Sequence, residues 1–282
     1  MRSIFGLLIL PFAIVLPLVG CGDDEEHRAG GEGAVGPTGE LELPADPAAR
    51  VRARTGVTFG AAAQLMPGNL QADHLPSELA PLLLVRGALA GRFGERVEGG
   101  VVASKAPVIV HGAMDVVVNG DRLRQFHYHW WHSTAAGEWA AQGVRITVDE
   151  EGLPLVWEVL RDPSGLRVLY ASERLEARAR KRYGAPLPGR ALTLERAVRD
   201  TPSVVVARTL ADGPVPMGPW VYLEHPTDIA ALICRCMPSQ ATGPLERTDY
   251  RLRAWETRDG VWTPEAPESP ATARLEGQLR WP

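Results

Sequence analysis

Sequence motifs that mark several common enzyme classes are missing from this chain. There is no G-x-S-x-G turn, no Walker phosphate-binding loop, no H-E-x-x-H pair and no C-x-x-C pair. The chemistry that depends on these motifs therefore has no support in the sequence. Long apolar runs are also scarce, because the one at the N-terminus is not followed by a second. No catalytic residue is predicted.

An excess of basic residues is missing as well. The 282 residues include 30 Lys and Arg against 34 Asp and Glu, which gives a formal net charge of −4. A weakly acidic chain lacks the positive surface that nucleic-acid binding requires, so we expect no nucleic-acid partner. Almost all basic residues are Arg. We interpret this as the codon bias of a GC-rich genome.

The N-terminus carries the clearest targeting signal. Arg2 precedes an apolar run over residues 4–19, which ends in Leu18-Val19-Gly20-Cys21. A run of this length predicts a secretory signal peptide over residues 1–20. Its last four residues resemble the lipobox of bacterial lipoproteins. The resemblance implies cleavage before Cys21, a thioether-linked diacylglycerol on its sulfur and acylation of the new amino group. Two alternatives to a lipobox stay open. The segment could be a cleaved signal peptide followed by a chance cysteine, or an uncleaved membrane anchor.

The lipobox resemblance predicts a location outside the cytoplasm, because several acyl chains hold a protein stably on a membrane. Gly22 differs from the Asp that retains lipoproteins in the inner membrane, so we expect the outer membrane in a diderm host. In a monoderm host, the expected location is the outer face of the cell membrane. Residues 21–54 are rich in Gly and Pro with an acidic run, which predicts a disordered tether. Residues 55–282 are expected to form one domain.

The domain is predicted to be α+β, mainly an antiparallel sheet with one or two helices packed on it. Asn119-Gly120 is a hairpin signal, and turn residues separate strands over 144–148, 155–160 and 166–170. Ser172 and Gly184 suit the two ends of a helix between them. A further helix is predicted near 77–90. The other predicted strands cover 82–85, 108–110, 116–118, 122–131, 204–207, 220–223, 229–236, 250–255 and 273–279.

The stretch RQFHYHWWHS, residues 124–133, concentrates three histidines. On a strand, His127 and His129 share one face, while Phe126, Tyr128 and Trp130 share the other. Two imidazoles at this spacing could bind one metal ion. His132 falls on the opposite face unless the strand bends, so it is a weaker candidate ligand.

The stretch LICRCMPSQ, residues 232–240, holds the two cysteines other than Cys21. Cys234 and Cys236 would share one strand face, and Met237 is a weaker candidate beside them. Thiolates and imidazoles together suit copper or zinc. Three alternatives stay open: a Cys234–Cys236 disulfide, which needs a local turn; two inert buried thiols; and histidines that are ordinary sheet residues.

Three functions follow from these residues. The first is a lipid-anchored extracytoplasmic domain that binds copper or zinc through Cys234, Cys236, His127 and His129. The second is a metal-free binding or scaffold lipoprotein of the cell envelope with an unknown protein partner. The third is an envelope enzyme that uses a thiol. Glu158 is a separate candidate for chemistry, but strand alternation favours a solvent-facing side chain there.

Overall fold

The computed structural model describes residues 46–55, 59–60, 63–69, 71, 74–86, 93–97, 99–104, 106–134, 136–201, 203–225, 228–236, 241–242, 246–255 and 271–282. The predicted signal peptide, Cys21, most of the predicted tether and Met237 lie outside these residues. No helix in the described ranges has both the length and the apolar character needed to cross a membrane.

Strands make up most of the described structure, and helices are few. The helices are α1 (Pro47–Thr55), α2 (Leu75–Glu78), α3 (Glu173–Tyr183) and α4 (Ala271–Gln278). The strands are β1 (Phe59–Gly60), β2 (Ala63–Pro67), β3 (Leu82–Val85), β4 (Phe93–Val97), β5 (Gly100–Ala103), β6 (Val108–Val118), β7 (Asp121–Ser133), β8 (Trp139–Val148), β9 (Pro154–Val159), β10 (Arg167–Ser172), β11 (Val204–Leu210), β12 (Pro219–His225), β13 (Asp228–Cys234), β14 (Ala241–Thr242) and β15 (Glu246–Ala254).

One large mixed sheet contains nearly all of these strands. Its order is β11-β10-β9-β8-β7-β6-β15-β2-β3-β12-β13, and β4 pairs with both β7 and β5. The α1 helix contacts β11 and β13, the two ends of that order, so the sheet curves into a barrel-like form. The large side chains of β7 that face its interior are fully buried: Phe126, Tyr128 and Trp130.

The expected mainly antiparallel pairing is wrong for part of this sheet. The hairpin and meander from β6 to β10 are antiparallel, as local turn signals indicate. However, β15 pairs in parallel with both β6 and β2, β3 pairs in parallel with β12, and β10 pairs in parallel with β11. Parallel neighbours need long connections, so no short turn signal marks them in the sequence.

The helices confirm one prediction and correct three. Ser172 caps α3 by accepting a hydrogen bond from Leu175 N at 3.2 Å, and Gly184 ends the helix with a positive φ of 78°. The strand predicted over 273–279 is wrong, because α4 occupies most of it and buries Leu275. Leu279 follows the helix and forms an isolated bridge with Glu195.

The other two corrections concern helix length and position. Where a helix was expected near 77–90, only Ser77 and Glu78 at the end of α2 are helical, and β3 begins at Leu82. Residues 87–90 lie outside the described ranges. The α1 helix lies within the predicted tether, where Val51 is buried against the core. The folded part of the chain therefore begins earlier than residue 55.

Candidate functional site

The histidine-bearing strand β7 places its side chains by simple alternation. His127 lies opposite Arg145 and His129 lies opposite Gly143 on β8, with no register break from Arg124 to Ser133. The two imidazole ring centres are 6.2 Å apart. His132 consequently stays on the other face, where it is buried. The strand therefore brings together His127 and His129, and it does not bring His132 to them.

Gly143 makes room for the His129 ring. A Cβ atom built at this position would lie 2.7 Å from His129 Nδ1, 2.9 Å from Leu160 Cδ1 and against the Tyr128 carbonyl oxygen. The backbone oxygen cannot move aside without breaking the pairing of β7 with β8. Glycine is therefore required by packing here, and the imidazole occupies the volume that a side chain would fill.

Replacing Gly143 with alanine should lower the free energy of unfolding by about 1–3 kcal/mol, the usual cost of overpacking a filled core. Urea denaturation of the purified protein measures this. Gly277→Ala is the matched control, because nothing lies within 4 Å of a Cβ at that exposed helical position. That control should be neutral or slightly stabilising. Equal stability of native protein and Gly143→Ala would contradict the packing role.

A buried ion-pair cluster lies beside the histidines on the same sheet face. Arg145 Nη1 lies 3.1 Å from Glu158 Oε2, and Arg167 pairs with the other carboxylate oxygen of Glu158. The Arg145 and Glu158 side chains are only 4% and 8% exposed. The solvent-facing orientation expected for Glu158 is therefore wrong. Alternation gives the face correctly, but it does not reveal that both faces of β9 are covered.

Burial, reinforced by the positive charge of Arg145 in this cluster, keeps both histidines in the neutral form. Burial, followed by the nearby Arg145 cation, lowers the pKa of His127 to about 3. Burial also lowers the pKa of His129 well below its ordinary value, and His127 and Arg145 add to the effect. Neutral imidazoles can bind metal, but the same Arg145 charge repels an incoming cation. The one carboxylate of the cluster is already paired with two guanidinium groups.

The cysteine pair forms a disulfide, one of the three alternatives that the sequence left open. Cys234 and Cys236 are bonded, with their Cα atoms 5.1 Å apart. The strand expected over 229–236 ends at Cys234, and residues 235–236 form a turn. This turn supplies the approach that an extended strand does not allow. While the bond is intact, neither sulfur is a thiolate that could bind a metal or act as a nucleophile.

The four predicted metal ligands are consequently not assembled. Within the described residues, no group of three or more His, Cys, Asp and Glu side chains is placed to hold a metal ion. Strand β7 and strand β13 are also not neighbours in the sheet order. Met237 lies outside the described residues.

Arg145 and Arg167 are the members of the cluster that the sequence interpretation missed. A usable signal was present, because Arg145 and Glu158 have opposite charges on consecutive meander strands. In the sheet they are direct cross-strand partners. Opposite charges in that arrangement stabilise a strand pair. The exact pairing, however, depends on a register shift between Thr147 and Val148, and a plain alignment through the Asp149–Gly152 turn would place Arg145 opposite Val156.

These features define a mainly β domain with a mixed, curved sheet, a buried polar cluster on one face and a disulfide at the end of β13. Comparison of the chain with protein-family models, with curated protein sequences and with solved structures gives no match.

Proposed function

We propose that the chain is a lipid-anchored protein of the cell envelope, whose folded part is a metal-free binding or scaffold domain outside the cytoplasm. In this proposal a diacylglycerol on Cys21 holds the chain on the outer membrane of a diderm host, facing the periplasm. The residues between Cys21 and α1 connect the anchor to the sheet. The partner would be another envelope component.

The observation that carries the proposal is the Cys234–Cys236 disulfide. Disulfides persist in oxidising compartments and are rare in the cytoplasm. The chain has three cysteines, so the disulfide leaves Cys21 as the single unpaired cysteine. That residue stands at the end of the lipobox-like stretch, where a thioether would use it. Each cysteine thus has a role that fits the same location.

The same disulfide favours the metal-free alternative over the other two hypotheses. A copper or zinc site at Cys234, Cys236, His127 and His129 would need both sulfurs as thiolates. A thiol enzyme would need one of them reduced before each reaction. Neither function has a further observation in its favour among the described residues, so both stay predictions.

Replacing Cys21 with serine should release the protein from the membrane. Serine cannot form the thioether, so the acyl chains that hold the chain on the bilayer would be absent. Detergent-free fractionation followed by immunodetection measures this in the native and variant strains. Cys234→Ser is the matched control, because it removes a sulfur without touching the lipobox, and it should stay with the membrane.

Mass analysis of the membrane-extracted protein tests the same proposal directly. We expect a chain that begins at Cys21 with added acyl mass, no thiol reactive to alkylation before reduction, and two reactive thiols after it. An unmodified Cys21 thiol would contradict the anchor. Two reactive thiols without reduction would contradict the disulfide and return the metal hypothesis to first place.

A further inference from the structure

The Cys234–Cys236 disulfide holds very little of the fold together. Its two cysteines are two positions apart, at the end of β13 and in the turn that follows. The bond therefore joins no two elements of the sheet. A disulfide stabilises a fold mainly by restricting the unfolded chain, and this effect is smallest when the closed loop is short. A purely structural role consequently explains this bond poorly.

The two sulfurs of the disulfide lie in different surroundings. Cys234 is only 7% exposed, whereas Cys236 is partly exposed. The Cys236 backbone N–H donates to Cys234 Sγ at 3.1 Å, and Cys236 Sγ lies 3.8 Å from the Ala211 carbonyl oxygen. A hydrogen-bond donor stabilises a thiolate, and a carbonyl oxygen does not. Negative charge is therefore favoured on Cys234, while another molecule reaches Cys236 more easily.

A cation lies beside the less exposed sulfur. Arg235 and Cys234 line the same cavity, which has a volume of about 40 Å³. The other charged residues of its lining, Arg174 and Asp212, pair with each other at 3.4 Å. Arg235 Nη1 donates to the Glu78 carbonyl oxygen at 3.2 Å, and no carboxylate in the described part of the chain forms an ion pair with it. A nearby guanidinium favours the thiolate form of a cysteine.

We propose that this disulfide is a thiol–disulfide exchange site, which accepts two electrons from a pair of cysteine thiols in a substrate protein. A thiolate of the substrate attacks Cys236 Sγ, the Cys234–Cys236 bond breaks, and Cys234 leaves as a thiolate. The second substrate thiolate then attacks the substrate sulfur of the mixed disulfide, and Cys236 leaves. The substrate becomes a disulfide and this chain a dithiol. The two protons that the substrate thiols release pass through solvent to Cys234 and Cys236.

This activity goes beyond the proposed binding or scaffold role and rests on it only for the oxidising compartment. It differs from the thiol-enzyme hypothesis because it begins with the disulfide, so no earlier reduction is required. The exchange is measured on the purified chain, whereas the anchor on Cys21 is measured by fractionation. Failure of the exchange and failure of the anchor are therefore distinguishable.

The first test is the rate at which reduced glutathione opens the disulfide of the full chain in detergent, followed by alkylation and mass analysis. An oxidised peptide of residues 232–238 is the matched control, because it carries the same two cysteines without the fold. We expect the folded chain to react at least as fast as the peptide, because the Cys234 thiolate is stabilised as the leaving group. Slower reaction of the folded chain would mean that the fold shields the bond, and would overturn the proposal.

The position of the glutathione tests the order of the steps. In rapidly quenched samples we expect glutathione on Cys236 and the alkyl label on Cys234, since Cys236 is the more exposed of the two. Glutathione on Cys234 would contradict the proposed order. With a reduced two-cysteine peptide in place of glutathione, each chain should produce one peptide disulfide. Absence of the peptide disulfide would overturn the exchange function.

A variant that keeps both cysteines tests the role of the cation. Arg235→Gln should slow the reaction with glutathione by about threefold or more, because the leaving thiolate loses a neighbouring positive charge. Arg235→Lys should retain most of the rate. The matched control is Arg86→Gln, which removes an exposed arginine that does not line the cavity and should leave the rate unchanged. With folding verified by circular dichroism, equal rates for Arg235→Gln and Arg86→Gln would contradict the role of Arg235.

Discussion

Replacing Glu158 with glutamine should lower the free energy of unfolding by about 3–5 kcal/mol. The carboxylate is buried and pairs with both Arg145 and Arg167. Glutamine keeps the shape and removes the negative charge, so the Arg145 guanidinium, only 4% exposed, would be left without a counter-charge. A buried cation without a partner costs far more than the net value of the pair itself.

Urea denaturation at neutral pH measures this loss. The matched control is Glu224→Gln, which breaks the exposed pair of Arg86 with Glu224, whose side chains are 66% and 50% exposed. Solvent screening limits such surface pairs to about 0–1 kcal/mol. Similar losses for the two variants would mean that the Glu158 cluster is solvated in solution. A larger loss for Glu158→Gln alone would support the buried cluster.

Acidification from pH 7.5 to pH 5 should destabilise the protein by about 2 kcal/mol through His127 alone. Burial and then Arg145 lower the pKa of His127 to about 3 from its ordinary value of 6.5. Between these two values the unfolded chain binds a proton that the folded chain does not bind. The contribution of neutral His127 to the free energy of unfolding is therefore fully present above pH 6.5 and decreases as the pH falls below that value. His129, whose pKa is also lowered by burial, acts in the same direction.

Urea denaturation at pH 7.5 and pH 5 measures this difference for the native protein and for His127→Gln. Glutamine does not titrate, so the variant should lose about 2 kcal/mol less on acidification than the native protein. The double variant His127→Gln, His129→Gln should lose still less. An unchanged pH dependence in both variants would show that these imidazoles titrate freely, and that burial does not hold them neutral.

Several parts of the fold were determined by the sequence alone, because their causes are local. Asn119-Gly120 tolerates the positive φ angles of a hairpin turn, and both residues adopt them, at 48° and 91°. Ser172 and Gly184 set the ends of α3 through hydrogen bonds within a few residues. Alternation on β7 placed His127 and His129 on one face, as the register confirms.

Other features were decided by the tertiary structure, because their causes lie far apart in the chain. The insertion of β15 between β6 and β2 depends on contacts across more than a hundred residues. Likewise, the backbone N–H of Asn119 in the hairpin turn donates to Glu276 Oε1, far along the chain. Local periodicity predicts the face of a strand or helix on which a side chain lies, but it does not predict which other elements cover that face. The burial of Glu158 and the partners of Arg145 are set only when distant strands and helices pack together.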